Sequence, residues 1–177
     1  VRNDRKGASL VLAESGQIAL LLALLAALLQ AALPLAGAAG NRPAWMAVAR
    51  PAAYAQLGLL LFAYAALTAS FVQQDFSVKY VADNSNTLLP MAYRFTAVWG
   101  AHEGSLLLWV LMLGVWNAAV ARWSRQLPEV VVARVLGVIG LVAIGFLSFM
   151  IFTSNPFERL LPSPLEGHDL NPLLQDP

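Results

Sequence analysis

Four long apolar stretches, separated by short polar segments, set the pattern of this chain. They cover residues 16–35, 52–72, 105–121 and 130–152. At about 1.5 Å per residue such lengths approach the roughly 30 Å of a bilayer's hydrocarbon core, where a single spanning segment satisfies its own backbone only as a helix. The pattern predicts an all-α, polytopic membrane protein with about four transmembrane helices. In the first span Ala23, Ala27 and Ala31 recur at four-residue spacing, a small stripe along which another helix can approach closely. Gly137, Gly140 and Gly145 predict the same for the fourth span. Glu14, Gln17 and Gln30 are the remaining polar points near the first span, too scattered for a relay.

The polar segments differ in kind. Residues 73–104 are too polar to span and too aromatic for a slack linker, so an ordered loop is expected there. Asn84-Ser85-Asn86-Thr87 has turn and cap chemistry, Pro90 stops any helix running back through it, and residues 91–104 are expected to climb as an amphipathic helix into the third span. Residues 153–177, with prolines at 156, 162, 164, 172 and 177, predict an extended tail without its own core. Its Phe157, Leu160, Leu161, Leu165, Leu170, Leu173 and Leu174 are expected to pack on something outside this stretch of chain, and Asp169, Asn171 and Asp176 read as turn residues. Residues 1–13 are read as a disordered N-terminal extension.

Composition agrees with a membrane protein: 59% of residues are hydrophobic and 12% charged, against about 45–50% and about 25% in soluble domains. Eleven basic and ten acidic residues leave a net charge of +1 with no polybasic block, which sets nucleic acid aside as a partner. The absence of cysteine excludes disulfides and thiolate zinc sites made by this chain. Arg2, Arg5 and Lys6 before an apolar run, followed by Ala36-Gly37-Ala38, also fit a secretory signal peptide. Retaining the first span with its N-terminus outside places the cluster of Arg122, Arg125 and Arg134 in the cytoplasm, as the positive-inside rule favours. The basic N-terminus runs against that choice.

The densest chemistry lies in AVWGAHEGSLLLW, residues 97–109. A zincin needs HExxH, and here the second imidazole is missing, so no metal ligand and no catalytic residue is assigned. A membrane-interface helix start explains most of the stretch. Trp99 and Trp123 fit aromatic belts, and Gly100 and Gly104 form a small-xxx-small pair suited to helix packing. On a continuous helix Trp99, His102, Glu103 and Leu106 share one face. Trp109, Trp116 and Trp123 recur every seven residues as a seam, read as packing, lipid contact or a wall for a flat ligand.

YVADNSNTLLPMAYRFTAVWGAHEGSLLLWVL (80–111) and FTSNPFERLLPSPLEGHDLNPLLQDP (152–177) resemble the CcmF/NrfE family, the haem lyase subunit of system I cytochrome c maturation. The likeness runs from about Glu14 to Pro177. It implies a multi-pass protein of the bacterial inner membrane, with its N-terminus, residues 73–104 and the tail on the periplasmic side. Such a protein receives haem b from a CcmE-type haem chaperone and, with CcmH-type and CcmI-type subunits, attaches it to the CxxCH thiols of apocytochrome c. In the family the tail motif leads into haem-ligating histidines and a tryptophan-rich WWD segment, so this chain reads as the N-terminal portion, with the haem ligands expected outside it. On that reading Trp99 and Trp109 are candidates for apolar or stacking contact with haem, His102 and Glu103 for orienting a loop or bonding a propionate, and Arg94 for a propionate counter-charge. The other reading is a non-catalytic membrane scaffold for assembly of the same complex.

Overall fold

The computed structural model describes residues 2–169, with side chains from residue 11 onward. Seven α-helices follow in order: α1 (Arg2–Ala39), α2 (Pro43–Met46), α3 (Ala49–Gln73), α4 (Lys79–Asn84), α5 (Met91–Ala97), α6 (His102–Trp123) and α7 (Glu129–Thr153). Four helical segments are apolar and long enough to cross a membrane: Val11–Ala39 in α1, Pro43–Gln73 across α2 and α3, His102–Gln126 through α6 and the turn after it, and Glu129–Thr153, which is α7. The protein is a polytopic, all-α membrane bundle; the first three spans reach several residues beyond their purely apolar runs, and the fourth matches its run to within one residue at each end. Helix α1 begins at Arg2, where a disordered extension was expected. The first turns contain no proline, so a helix nucleated in the span can propagate back through them.

The breaks between helices are chemical. Asn41 takes a left-handed conformation (φ 49°) between α1 and α2, and Gln74 does the same (φ 56°) after α3, its amide region returning to the Ser70 and Phe71 carbonyls. Pro43, Pro90 and Pro128 stand at helix starts, where a missing N–H costs nothing. Pro34 is the exception, lying inside α1 and so withholding a backbone donor from the Gln30 carbonyl.

The long helices run alternately up and down in a ring, α1 against α3 and α7, and α6 against α3 and α7. The predicted alanine stripe is the α1 seam: Ala23, Ala27 and Ala31 are buried, and a Cβ added at Gly140 would sit 3.1–3.4 Å from the backbone of Ala27 and Ala31. Gly137 likewise abuts Leu35. Gly145 departs from the expectation, since it faces open space on the outer side of α7.

Gln30 is not isolated. Its Nε2 donates to Asn117 Oδ1 on α6 (3.0 Å) and to the Leu136 carbonyl on α7 (2.8 Å). Asn117 Nδ2 donates in turn to Gln30 Oε1 (3.0 Å) and to Gln56 Oε1 on α3 (2.9 Å). All three side chains are at most 1% exposed, and Gln56 Nε2 ends the chain of bonds without a partner among the described residues. Hydrocarbon gives apolar helices little reason to prefer one face over another, whereas a stranded carboxamide is costly there, so this cluster selects the faces that meet.

Asn117→Leu removes three of these hydrogen bonds and strands the Oε1 atoms of both glutamines. At about 0.6–1.7 kcal/mol per interhelical bond it is expected to cost about 2–4 kcal/mol. The triple replacement Gln30→Leu/Gln56→Leu/Asn117→Leu, which removes every partner together, is expected to cost less than Asn117→Leu alone. Reversible unfolding in mixed micelles measures both, and the opposite order would contradict a satisfied polar tie.

Candidate functional site

At one end of the bundle, here the tail end, residues 75–101 and 154–169 cover the helix termini. The third span starts at His102, three residues earlier than expected, and residues 91–104 are not one climbing helix. Helix α5 ends at Ala97, the chain breaks at 98–101, and α6 begins anew. The N-cap residue of α6 is Ala101, whose side chain can cap nothing. Tyr80 of α4 takes that role. Its hydroxyl oxygen accepts the Ala101 N–H (3.2 Å), with the Gly104 amide as a second donor, while its O–H donates to the Val98 carbonyl (3.1 Å). Phe71, fully buried at the end of α3, meets the Tyr80 ring edge-on with centroids 5.3 Å apart.

The glycines follow from this knot. A Cβ at Gly104 would overlap the Val98 carbonyl oxygen and press on the Tyr80 hydroxyl, so the close approach there is between a helix and the loop crossing it. Gly100 lies in the break and belongs to neither helix, so the two glycines do not form a small-xxx-small pair. Ser105 Oγ donates to the Trp99 carbonyl (2.7 Å), tying the far side of the break. Burial pushes the Tyr80 phenol up to about 12, so it stays protonated and keeps donating.

The predicted site residues separate. Trp99 sits off the helix and is exposed; His102 is exposed in the first turn of α6, its ring edge-on to Phe149 of α7 with centroids 6.3 Å apart. Glu103 is half-buried in the same first turn of α6. Trp109 is exposed two helical turns along α6 from His102. Arg94 turns inward: Nε donates to the Leu89 carbonyl (2.8 Å) and Nη2 to that of Thr87 (3.3 Å), pinning the loop that precedes α5.

The tail packs on the chain itself. Phe157 is buried against Gly16 of α1, Val78 and Arg159 form a β-bridge, and the Lys79 amide donates to the Glu158 carbonyl (2.8 Å) while the Leu160 amide donates to that of Ser77 (2.9 Å). Glu166 accepts from both the amide (2.8 Å) and the hydroxyl (2.7 Å) of Thr87, contacts that hold its carboxyl below the ordinary range. Asp169 accepts from the side chain of Asn86, 83 residues away in sequence, and not from a nearby backbone amide as a turn residue would. Leu161 and Leu165, at 91% and 99% exposure, are left uncovered. Leu170, Asn171, Leu173, Leu174 and Asp176 lie outside the described residues. The signals for this docking were Thr87 and Glu166, both visible in the sequence but without any spacing that would join them.

Tyr80→Phe is expected to lower stability by about 1–2 kcal/mol, the range of a lost cap, and to speed amide exchange selectively at residues 98–105. Because the folded chain favours the protonated phenol, its contribution is whole below pH 10.0 and is lost as pH climbs through about 12. Thermal unfolding over that window should show an alkaline loss that Tyr80→Phe reduces. Gly104→Ala should disorder the same segment, whereas Gly145→Ala, which meets open space, should be silent.

A family model described as Cytochrome C assembly protein matches residues 99–177. The chain is 60% identical over 164 residues to the cytochrome c-type biogenesis protein CcmF of Pseudomonas aeruginosa, covering 92% of this chain and 25% of that protein. It is 53% identical to CcmF of Escherichia coli over 93% of this chain and 26% of that protein, and 40% identical to NrfE of Haemophilus influenzae over 94% and 26%. A solved structure of the cytochrome c haem lyase CcmF superposes with a TM-score of 0.79 at 29% identity, covering 83% of this chain and 25% of that one. The chain spans about a quarter of the length of the curated relatives it matches. With 40–60% identity to CcmF and NrfE proteins over more than nine-tenths of its residues, and their bundle as its fold, the chain belongs to the CcmF/NrfE family of cytochrome c-type biogenesis proteins.

Proposed function

We propose that this chain forms the loop-bearing helical module of a CcmF-type haem lyase, which attaches haem covalently to the CxxCH thiols of apocytochrome c. The observation that carries the reading is the Tyr80-capped break at 98–101, which leaves Trp99 exposed and His102 exposed against Phe149 at the bundle rim. Haem is the substrate, and its vinyl groups supply the carbons that the cytochrome thiols attack. The residues present fit a supporting part. Trp99, Trp109 and Phe149 offer apolar surface to a porphyrin face or edge, and the exposed His102 offers a hydrogen bond to a propionate or to water. They do not fit a pair of axial ligands, because His102 stands against Phe149 in the first turn of α6 and His168 beside Asp83 (3.8 Å) in the tail. Positioning is the contribution left to this module.

The same proposal places the protein in the bacterial inner membrane, with its tail end periplasmic. Support comes from charge: Arg42, Arg50, Arg122, Arg125 and Arg134 gather at the opposite end, where Glu129 is the one carboxylate among the described residues. Haem b as the bound form, a CcmE-type haem donor, CcmH-type and CcmI-type partner subunits and apocytochrome c belong to this reading.

The non-catalytic scaffold has its own observation. Arg94, the candidate propionate counter-charge, spends Nε and Nη2 on the Leu89 and Thr87 carbonyls, and so acts on the loop itself. The two readings divide on one measurement. In a full-length CcmF-type protein carrying this segment, His102→Ala/Glu103→Ala is expected to lower haem content and holocytochrome c yield several-fold; wild-type values for both would leave only the scaffold.

A further inference from the structure

Three guanidinium groups at the arginine end serve no purpose within the fold. Arg122 lies in the last turn of α6, Arg125 in the short 3-10 turn Ser124–Gln126, and Arg134 near the start of α7. All three are exposed, and none has an ion pair or hydrogen bond with another described residue. Their neighbours are committed differently. Arg50 donates to the Ala121 carbonyl and to that of Ser124 (3.2 Å), closing the C-terminus of α6, and Arg42 lies 4.6 Å over the Trp45 ring. Glu129 lines a small recess with Arg50, Met46 and Val132.

Depth places these groups at one level. Helix α6 has 22 residues, about 33 Å, against about 30 Å of hydrocarbon, so with His102 at one interface Arg122 and Trp123 reach the headgroups of the other. Helix α7 has 25 residues, about 37 Å, and the turn and a half before Arg134 takes up the excess. The arginine stem can lift the guanidinium to the same plane. Trp123, 78% exposed between Arg122 and the turn, has the amphipathic ring of an interfacial residue, and Leu127 adds apolar surface beside it.

We propose that the α6–α7 turn binds an anionic phospholipid, its phosphate held by the guanidinium groups of Arg122, Arg125 and Arg134 and its upper acyl chain lying against Trp123. The planar forks of arginine match phosphate oxygens, and three cations with a single nearby carboxylate favour a lipid whose headgroup carries net negative charge over a zwitterionic one. The site requires no assumption about which leaflet it faces, and it stands whether or not the chain handles haem.

The 177-residue chain, reconstituted with equal phosphatidylglycerol and phosphatidylcholine, is released into native mass spectrometry and the retained lipids are counted. Phosphatidylglycerol should be retained preferentially, Arg122→Gln/Arg125→Gln/Arg134→Gln should reduce that preference about tenfold, and Arg42→Gln should leave it unchanged. Excess inorganic phosphate should not displace the lipid. Equal retention by the triple variant, an equal loss in Arg42→Gln, or displacement by phosphate would each overturn the proposal, the last in favour of a free-anion site. Photoactivatable phosphatidylglycerol on the wild-type chain gives a readout independent of the variants' folding: labelling within residues 120–135 supports the site, and labelling confined elsewhere refutes it.

Discussion

Three carboxamides and one backbone carbonyl meet where all four long helices pass. Gln30, Asn117, Gln56 and the Leu136 carbonyl belong to α1, α6, α3 and α7, and among the described residues they are the one place where every span is tied to another by directional bonds. In hydrocarbon, apolar side chains can exchange one lipid-like neighbour for another at little cost, so burial alone leaves helix rotation loosely determined. Turning any of these helices by one residue, about 100°, would carry a carboxamide away from its partners. The small residues then do the close packing: Gly140 against Ala27 and Ala31, and Gly114 against Leu60. Polar ties choose the faces, and glycine and alanine let the chosen faces touch.

Rotation fixed in the middle determines what is presented at the ends, and α6 shows it at both. Its N-terminus is capped by Tyr80 from α4 and its C-terminal carbonyls by Arg50 from α3. Neither cap comes from α6 itself, so the helix is well terminated only in the assembled bundle. A helix start closed by a neighbour's phenol leaves its own first side chains unspent, which is why Trp99 and His102 can face outward. The WGAHEGS segment is in this sense mainly a backbone device: a glycine where a carbonyl crosses, a serine tying the break, and two side chains displayed as a result.

The spans and their alanine seam were legible from hydrophobic length and spacing, because lipid imposes both directly. The carboxamide cluster was not, although each member is an isolated polar residue within an apolar run. Asn117 lies 61 residues from Gln56 and 87 from Gln30, and nothing local says that the three meet. The break at 98–101 was missed for a related reason: glycines at 100 and 104 fit a helix contact as well as a loop crossing, and the deciding partner, Tyr80, lies on another element. The tail was expected to need a partner beyond this chain, yet Phe157 and Glu166 find theirs within it, while Leu161 and Leu165 do not. What sequence alone conveyed least was long-range polar pairing, which leaves no periodic trace.

Pro34 gives the cluster a mechanical meaning. It deletes one rung of the α1 ladder at Gln30, the residue whose side chain reaches α6 and α7. The stiffness that a continuous backbone would have supplied at that height is provided instead by two neighbouring helices. Helix α1 is therefore anchored from outside at two heights: Phe157 of the tail is seated on Gly16, and α6 and α7 hold Gln30 where the missing rung falls.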